Sequence, residues 1–267
     1  MKTRWISITF LSVCIIVGLS TGLLSHSIQA ALTLPLSVRV SRMAATPAKT
    51  APISPTGTVR PVMPSTPTTG EVTILAQDSF QRANRIFWGT ATDGRQWIGD
   101  ANSIEVFSIV GNAGLIDHAQ GTFNAILGPA TTNAEVVFSG MVNQFAAGAA
   151  VNMGAVLRWT DNNNWYKALI NGSNLQILRH VNGTTASLGS VPFSARGGVA
   201  YTLRFRAIGA ALSVKAWQSN QPEPNAWMLT VMDTMLSKGS GGLRFLVQNG
   251  SVIRVTSFQE TSVQEMI

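Results

Sequence analysis

The sequence is poor in the residues that most site chemistry requires. Of its 267 residues one is cysteine, Cys14, three are histidine, and only 12% are charged. The single thiol lies inside the N-terminal apolar run, so whatever follows has no disulfide, thiol nucleophile or thiolate metal site. The histidines, His26, His118 and His180, include no His-x-x-x-His pair and are too few for an imidazole-rich metal centre. No acidic residue precedes Glu71, so Lys2, Arg4, Arg39, Arg42, Lys49 and Arg60 carry most of the net charge of +7. From Glu71 onward the remaining 13 of 19 basic residues face all 12 acidic ones. That nearly neutral part has no basic footprint for nucleic acid. A long segment with a 3.6-residue apolar period is also missing, and no internal repeat exceeds a hairpin. The glycine runs at 197–198 and 239–242 lack the strand-then-helix context of a phosphate loop.

What is present divides the chain. Lys2 and Arg4 precede an uncharged run over residues 5–24 and a small-residue region ending near Ala30, the layout of an export signal or a retained membrane anchor over 1–30. Residues 31–71 form a Pro/Thr/Ala-rich stem, with Pro47, Pro52, Pro55, Pro61, Pro64 and Pro67 six of the eleven prolines. Such a segment buries too little apolar surface to order itself. A folded domain is expected over 72–262, with a short tail at 263–267. The expected location is secreted or extracytoplasmic, with membrane contact only through the N-terminal segment.

From residue 72 onward turn signals recur at short intervals. Strands are expected near 72–76, 103–109, 134–139, 201–208, 211–217, 242–247 and 251–258, with a short helical turn at 233–236. Many short strands joined by polar turns imply an all-β, two-sheet antiparallel sandwich. The clearest signal is 154–183, where Asn171-Gly172 and Asn182-Gly183 suit two-residue hairpins. With those pairs as tips, Ala168 faces Leu175, Tyr166 faces Ile177, and Ile177 faces Leu188. A turn over Asp161 to Asn164 places Trp159, Leu157 and Ala155 opposite Tyr166, Ala168 and Ile170 on one apolar face. The other face then reads Arg158, Trp165, Lys167, Gln176 and His180, with Val156, Leu169 and Leu178 among them.

Several short motifs, in this order, carry a resemblance. They are Asp78-Ser79-Phe80-Gln81-Arg82, Trp88-Gly89-Thr90 with Asp93-Gly94 and Trp97, the stretch 154–170, Pro222-Glu223-Pro224 with Trp227, and Gly242-Leu243-Arg244. Together they resemble the concanavalin A-like lectin/glucanase superfamily, nearest to its laminin-G-like and keto-disaccharide-hydrolase-like jelly rolls. The resemblance implies a jelly roll of two curved sheets, commonly with a carbohydrate-related role.

Enzyme chemistry has little support. Glycosidases need paired carboxylates, and the Glu-x-x-Asp-x-x-Glu-like strand pattern of glucanases on this fold is absent, with Glu105 and Glu135 isolated. No cofactor is expected. Calcium is the one metal the sequence admits, with Asp78 and Asp161 as oxygen donors, although Asx-rich turns commonly cap their own backbone. Trp159 and Trp227 are expected in the core, whereas Trp165 stands with Arg158 and Lys167 on the other face. An indole platform among donors suits sugar rings. The expected function is therefore a non-catalytic, monomeric module that binds a polysaccharide or cell-envelope glycan through Arg158, Trp165, Lys167, Gln176 and His180. A glycan-active hydrolase or lyase, or a structural domain, is the alternative.

Overall fold

The computed structural model describes residues 72–145 and 150–264. The expected signal or anchor and the stem lie outside the described residues, as does most of the tail. Among the described residues no helix is long and apolar enough to cross a membrane.

The described chain is all-β, as the turn spacing implies. The early strands are β1 (Ile74–Asp78), β2 (Arg85–Ile86), β3 (Ile98–Gly99), β4 (Phe107–Ile109), β5 (Gly114–Ile116), β6 (Gly121–Ile126), β7 (Ala134–Val142) and β8 (Asn152–Asp161). They are followed by β9 (Asn164–Ile170), β10 (Asn174–Val181), β11 (Thr184–Pro192), β12 (Ala200–Ile208), β13 (Ala211–Gln218), β14 (Leu229–Met232), β15 (Ser240–Val247) and β16 (Ile253–Ser262). A nine-stranded sheet runs β14-β13-β12-β7-β16-β5-β4-β2, with β1 also pairing β16; a seven-stranded sheet runs β11-β10-β9-β8-β15-β6-β3. The pairs are antiparallel throughout.

Alternation decides which side chains close the sandwich. In β12, Tyr201, Leu203, Phe205 and Ala207 join the inter-sheet core, as do Tyr166, Ala168 and Ile170 in β9. The heart of the core is aromatic. Trp88 meets Phe80, Trp97 and Phe107 edge-on at centroid separations of 5.0, 4.9 and 5.1 Å, the arrangement ring quadrupoles favour. Asp78 organises this cluster. Its carboxylate accepts two bonds from Arg82 at 2.7 and 2.9 Å, the Trp97 indole N–H at 2.7 Å and the Phe80 amide at 2.8 Å. With 2% of the residue exposed, Asp78, expected from sequence as a calcium donor, directs its carboxylate to protein donors in this structure.

The hairpins keep the expected faces and change the expected partners. The β10–β11 tip is Asn182-Gly183, with φ of 51° and 77°, the pair of positive angles a tight hairpin requires. A bulge between Ile177 and Leu178 then sets Ile177 opposite Gly189 instead of Leu188. At the β9–β10 turn, the Asn171 side chain accepts the Ser173 and Asn174 amides. That moves the tip one residue on, so Ala168 faces Ile177 and Tyr166 faces Arg179. The two-residue slip leaves each side chain on its original face. Between β8 and β9 the register shifts over Leu157 to Asp161, placing Leu157 opposite Tyr166 and Ala155 opposite Ala168. Trp159 is consequently only partly buried rather than in the core. Trp227 is also outside the core, lying against Arg206 and Lys215 at 4.8 and 5.0 Å. No helical turn forms at 233–236; there the Asp233 carboxylate accepts the Tyr166 hydroxyl at 2.5 Å and the Met235 amide at 2.9 Å.

A carboxyl group is enclosed between the sheets. Glu260 of β16 is fully buried, and a Cβ at Gly128 or Gly241 would overlap its carboxyl group. Neither carboxyl oxygen completes a hydrogen bond. Burial pushes this carboxyl up to about 8, against smaller opposing effects of the Gly241 N–H and Arg95. The native state therefore keeps a proton that the unfolded chain releases above its ordinary value, so stability is lost as pH rises between about 5 and 8. Glu260→Gln should remove that slope and raise stability at pH 8 by on the order of 3 kcal/mol, read from urea unfolding at a series of pH values. Parallel wild-type and variant profiles would contradict the assignment.

Candidate functional site on the outer face of the seven-stranded sheet

Residues that leave the sandwich along β6, β8, β9, β10 and β15 meet on one surface. The register runs Gln176 beside Leu169, Leu169 beside Gly154, Gly154 beside Arg244, and Arg244 beside Asn124. A parallel row runs Leu178, Lys167, Val156, Gly242 and Ile126. Trp165, Leu169, Val156 and Ile126 are buried, yet they stand outside the inter-sheet core cluster.

Four of the five expected binding residues share this surface. Trp165, Lys167, Gln176 and His180 lie together; Arg158 does not. The β8 irregularity gives Arg158 a φ of 52°, and a bulge of this kind redirects a side chain. Its guanidinium turns to the end of the sandwich and donates to the carbonyls of Thr132, Gly209 and Leu236 at distances between 2.6 and 3.1 Å. It thus ties three loops together, and burial lowers its pKa.

Trp165 departs from the open platform expected of it. His180 stacks on its indole at 4.7 Å and 10°, and Arg244 reaches within 4.5 Å of the ring centroid. The indole N–H donates to the Asn162 carbonyl at 3.0 Å, leaving the residue 4% exposed. Arg244 was missed from sequence as a site residue because its partner on this face, Gly154, lies about ninety positions earlier in the chain. Its guanidinium also donates to Asn124 Oδ1. Asn124 in turn uses its amide N–H for Asp100 at 2.7 Å and its side chain for Asn162 at 3.0 Å.

Lys167 has the most unusual environment. Its side chain crosses Gly154, where a Cβ would come within 2.7 Å of the lysine Cε, and its ammonium donates to Asn152 Oδ1 at 2.5 Å. Lys167 is 3% exposed and Asn152 7%. Burial, reinforced by the nearby Arg244 charge, holds the ammonium well below the usual lysine range. His180 is lowered for the same two reasons, with Asp161 opposing. The His180 ring also pairs with Thr185 Oγ1 at 2.7 Å.

Asp161 closes its own turn. Its carboxylate accepts the Asn163 amide at 2.6 Å and the Asn164 side chain at 3.1 Å, interactions that lower its pKa, the Asn164 bond first. Among the described residues no three His, Cys, Asp or Glu side chains gather as metal ligands.

No family model matches the sequence, and no curated protein matches it. Solved structures do. A xylan beta-1,4-xylosidase from Bacillus halodurans C-125 aligns at 14% identity and TM-score 0.51 over 76% of this chain and 41% of its own. The GH43 protein BlXynB from Bacillus licheniformis aligns at 11% and 0.51 over 70% and 39%. The carbohydrate binding module CBM66 from Bacillus subtilis aligns at 13% and 0.46 over 60% and 94%. The chain thus spans about two-fifths of the length of each of the two Bacillus enzymes. At such identities the likeness carries the fold alone, a jelly-roll sandwich of two antiparallel sheets.

Because Trp165 is enclosed, its removal should act on stability. Trp165→Ala is expected to cost roughly 3–5 kcal/mol, the range for truncating a buried aromatic, in urea titrations at an unchanged m-value. A loss below about 1 kcal/mol would instead mark an indole free to receive a ligand.

Proposed function

We propose that the domain is a non-catalytic glycan-binding module and that a sugar chain lies across the outer face of the seven-stranded sheet. The observation that supports this reading is the concentration of hydrogen-bonding side chains on one sheet face. Gln176, His180 and Arg244 are partly exposed there, around the deeper Lys167 and Asn152. Hydroxyl-rich ligands are oriented by a few fixed polar groups on a largely preformed surface. Trp165 contributes by holding His180 and Arg244 apart.

The arrangement also favours binding over hydrolysis. Glycosidases use one carboxyl with a raised pKa beside a second carboxylate. The carboxyl raised to about 8, Glu260, is enclosed between the sheets. Near the outer face, Asp161 caps its own turn and Asp100 accepts the Asn124 amide. In this reading the module is monomeric, works outside the cytoplasm on its proline-rich stem, and needs no cofactor.

A glycan array probed with the full chain, followed by calorimetry on the strongest hit, tests the proposal. Gln176→Ala should weaken binding about tenfold, or about 1.4 kcal/mol, with an unchanged unfolding midpoint. Trp227→Ala, on the other sheet, should leave affinity unaltered. The reverse pattern, or an array without any glycan hit, would refute the site.

A further inference from the structure

The two sheets treat their cations differently. On the nine-stranded sheet, Glu135 receives both Arg204 and Arg206, while Glu223 pairs with Arg204 at 2.7 Å and Lys215 at 2.8 Å. On that face three cations share two carboxylates, so each has a direct counter-charge. On the outer face of the seven-stranded sheet, neither Lys167 nor Arg244 forms a salt bridge among the described residues. Lys167 has one hydrogen-bond acceptor, the neutral Asn152, for an ammonium that can donate three.

A buried charge without a counter-charge is costly, because desolvation is not offset by attraction or by a full set of hydrogen bonds. That cost holds the Lys167 ammonium well below the usual lysine range, and an arriving anion would favour its protonated form. Two cations on one face add mutual repulsion. Gly154 adds a third observation. Any side chain there would meet Lys167 Cε at 2.7 Å and the Ala168 carbonyl at 2.4 Å, so the glycine leaves the trough that the lysine occupies. The lysine therefore has space made for it in the middle of the proposed binding face, without an internal anion to hold it.

We infer that this face is selective for acidic glycans, and that a sugar carboxylate is bound by the partly exposed Arg244 guanidinium, with the enclosed Lys167 supplying positive charge close by. The inference rests on the glycan-binding reading and narrows it to uronate-containing chains. A planar carboxylate can accept two guanidinium N–H bonds. Gln176, in the same lateral row as Arg244, is placed to bond a neighbouring ring hydroxyl. The carboxylate supplies the counter-charge that Glu135 and Glu223 supply on the other sheet.

The test uses full-length protein and paired ligands of one backbone: oligogalacturonate, oligomannuronate and hyaluronan fragments, each beside its methyl-esterified form. Calorimetry should show the acid forms binding at least tenfold more tightly than their esters, with affinity falling as salt rises. Lys167→Met should bring the affinity for the acid forms down to that for their esters. The salt dependence of the unmodified protein needs no variant, and affinity insensitive to salt overturns the inference. Equal binding of acid and ester overturns the acidic selectivity while the glycan-binding reading stands. A preference that survives Lys167→Met removes Lys167 from the site. If no ester or acid binds and the glycan array is also blank, the underlying reading fails with it.

Discussion

The outer face of the seven-stranded sheet depends on the alternation of β9, whose even-numbered residues close the sandwich while its odd-numbered ones leave it. Tyr166, Ala168 and Ile170 are fixed by burial in the core. With them fixed, Trp165, Lys167 and Leu169 have no other direction. A one-residue slip would place an ammonium between the sheets and a tyrosine on the face, at a cost far above the few kcal/mol that separate folded from unfolded domains. The site is in this sense a by-product of the core. The same constraint explains why the slip at the Asn171 turn was harmless: it displaced the chain by two residues, a full period.

The second organising feature is electrostatic. Each sheet presents cations, but Arg204, Arg206 and Lys215 pair directly with carboxylates, whereas Lys167 and Arg244 hydrogen-bond Asn152 and Asn124. Arg244 also lies over an indole, and Asp100 attracts Arg244 without an ion pair between them. Neutral partners hold a cation in position without cancelling its charge. That leaves a surface whose field is available to a ligand, over a floor of low dielectric where the attraction is stronger than in water. His180, Trp165 and Arg244 act as one stack in this arrangement, so the aromatic residue positions the donors around it.

Much of this was legible from local pattern. The alternation of Tyr201 through Ala207, the Asn182-Gly183 hairpin and the faces of β9 and β10 follow from a two-residue period and turn chemistry. Contacts between distant segments were not legible. Arg158 leaves the face because of a bulge, and nothing in the residues around it announces one. The Asp78 carboxylate is held by Phe80 and Arg82 nearby and by Thr92 and Trp97 14 and 19 residues on, and only the nearer pair could be read from the chain. Trp159 is expected in the core from the register of a turn over Asp161 to Asn164, and Trp227 from the usual packing of a sandwich tryptophan. The β8 register shift leaves the first partly exposed, and the second lies against Arg206 and Lys215. Glu260 meets Gly128 and Gly241 only after both sheets have formed.

The most direct measurement of the account is hydrogen–deuterium exchange on the full chain with and without a saturating acidic oligosaccharide. Protection is expected in peptides from β8, β9, β10 and β15, with β12, β13 and β14 unchanged. Protection concentrated in β12 to β14, or around Arg158 and the carbonyls it binds, would place the ligand elsewhere and contradict the account.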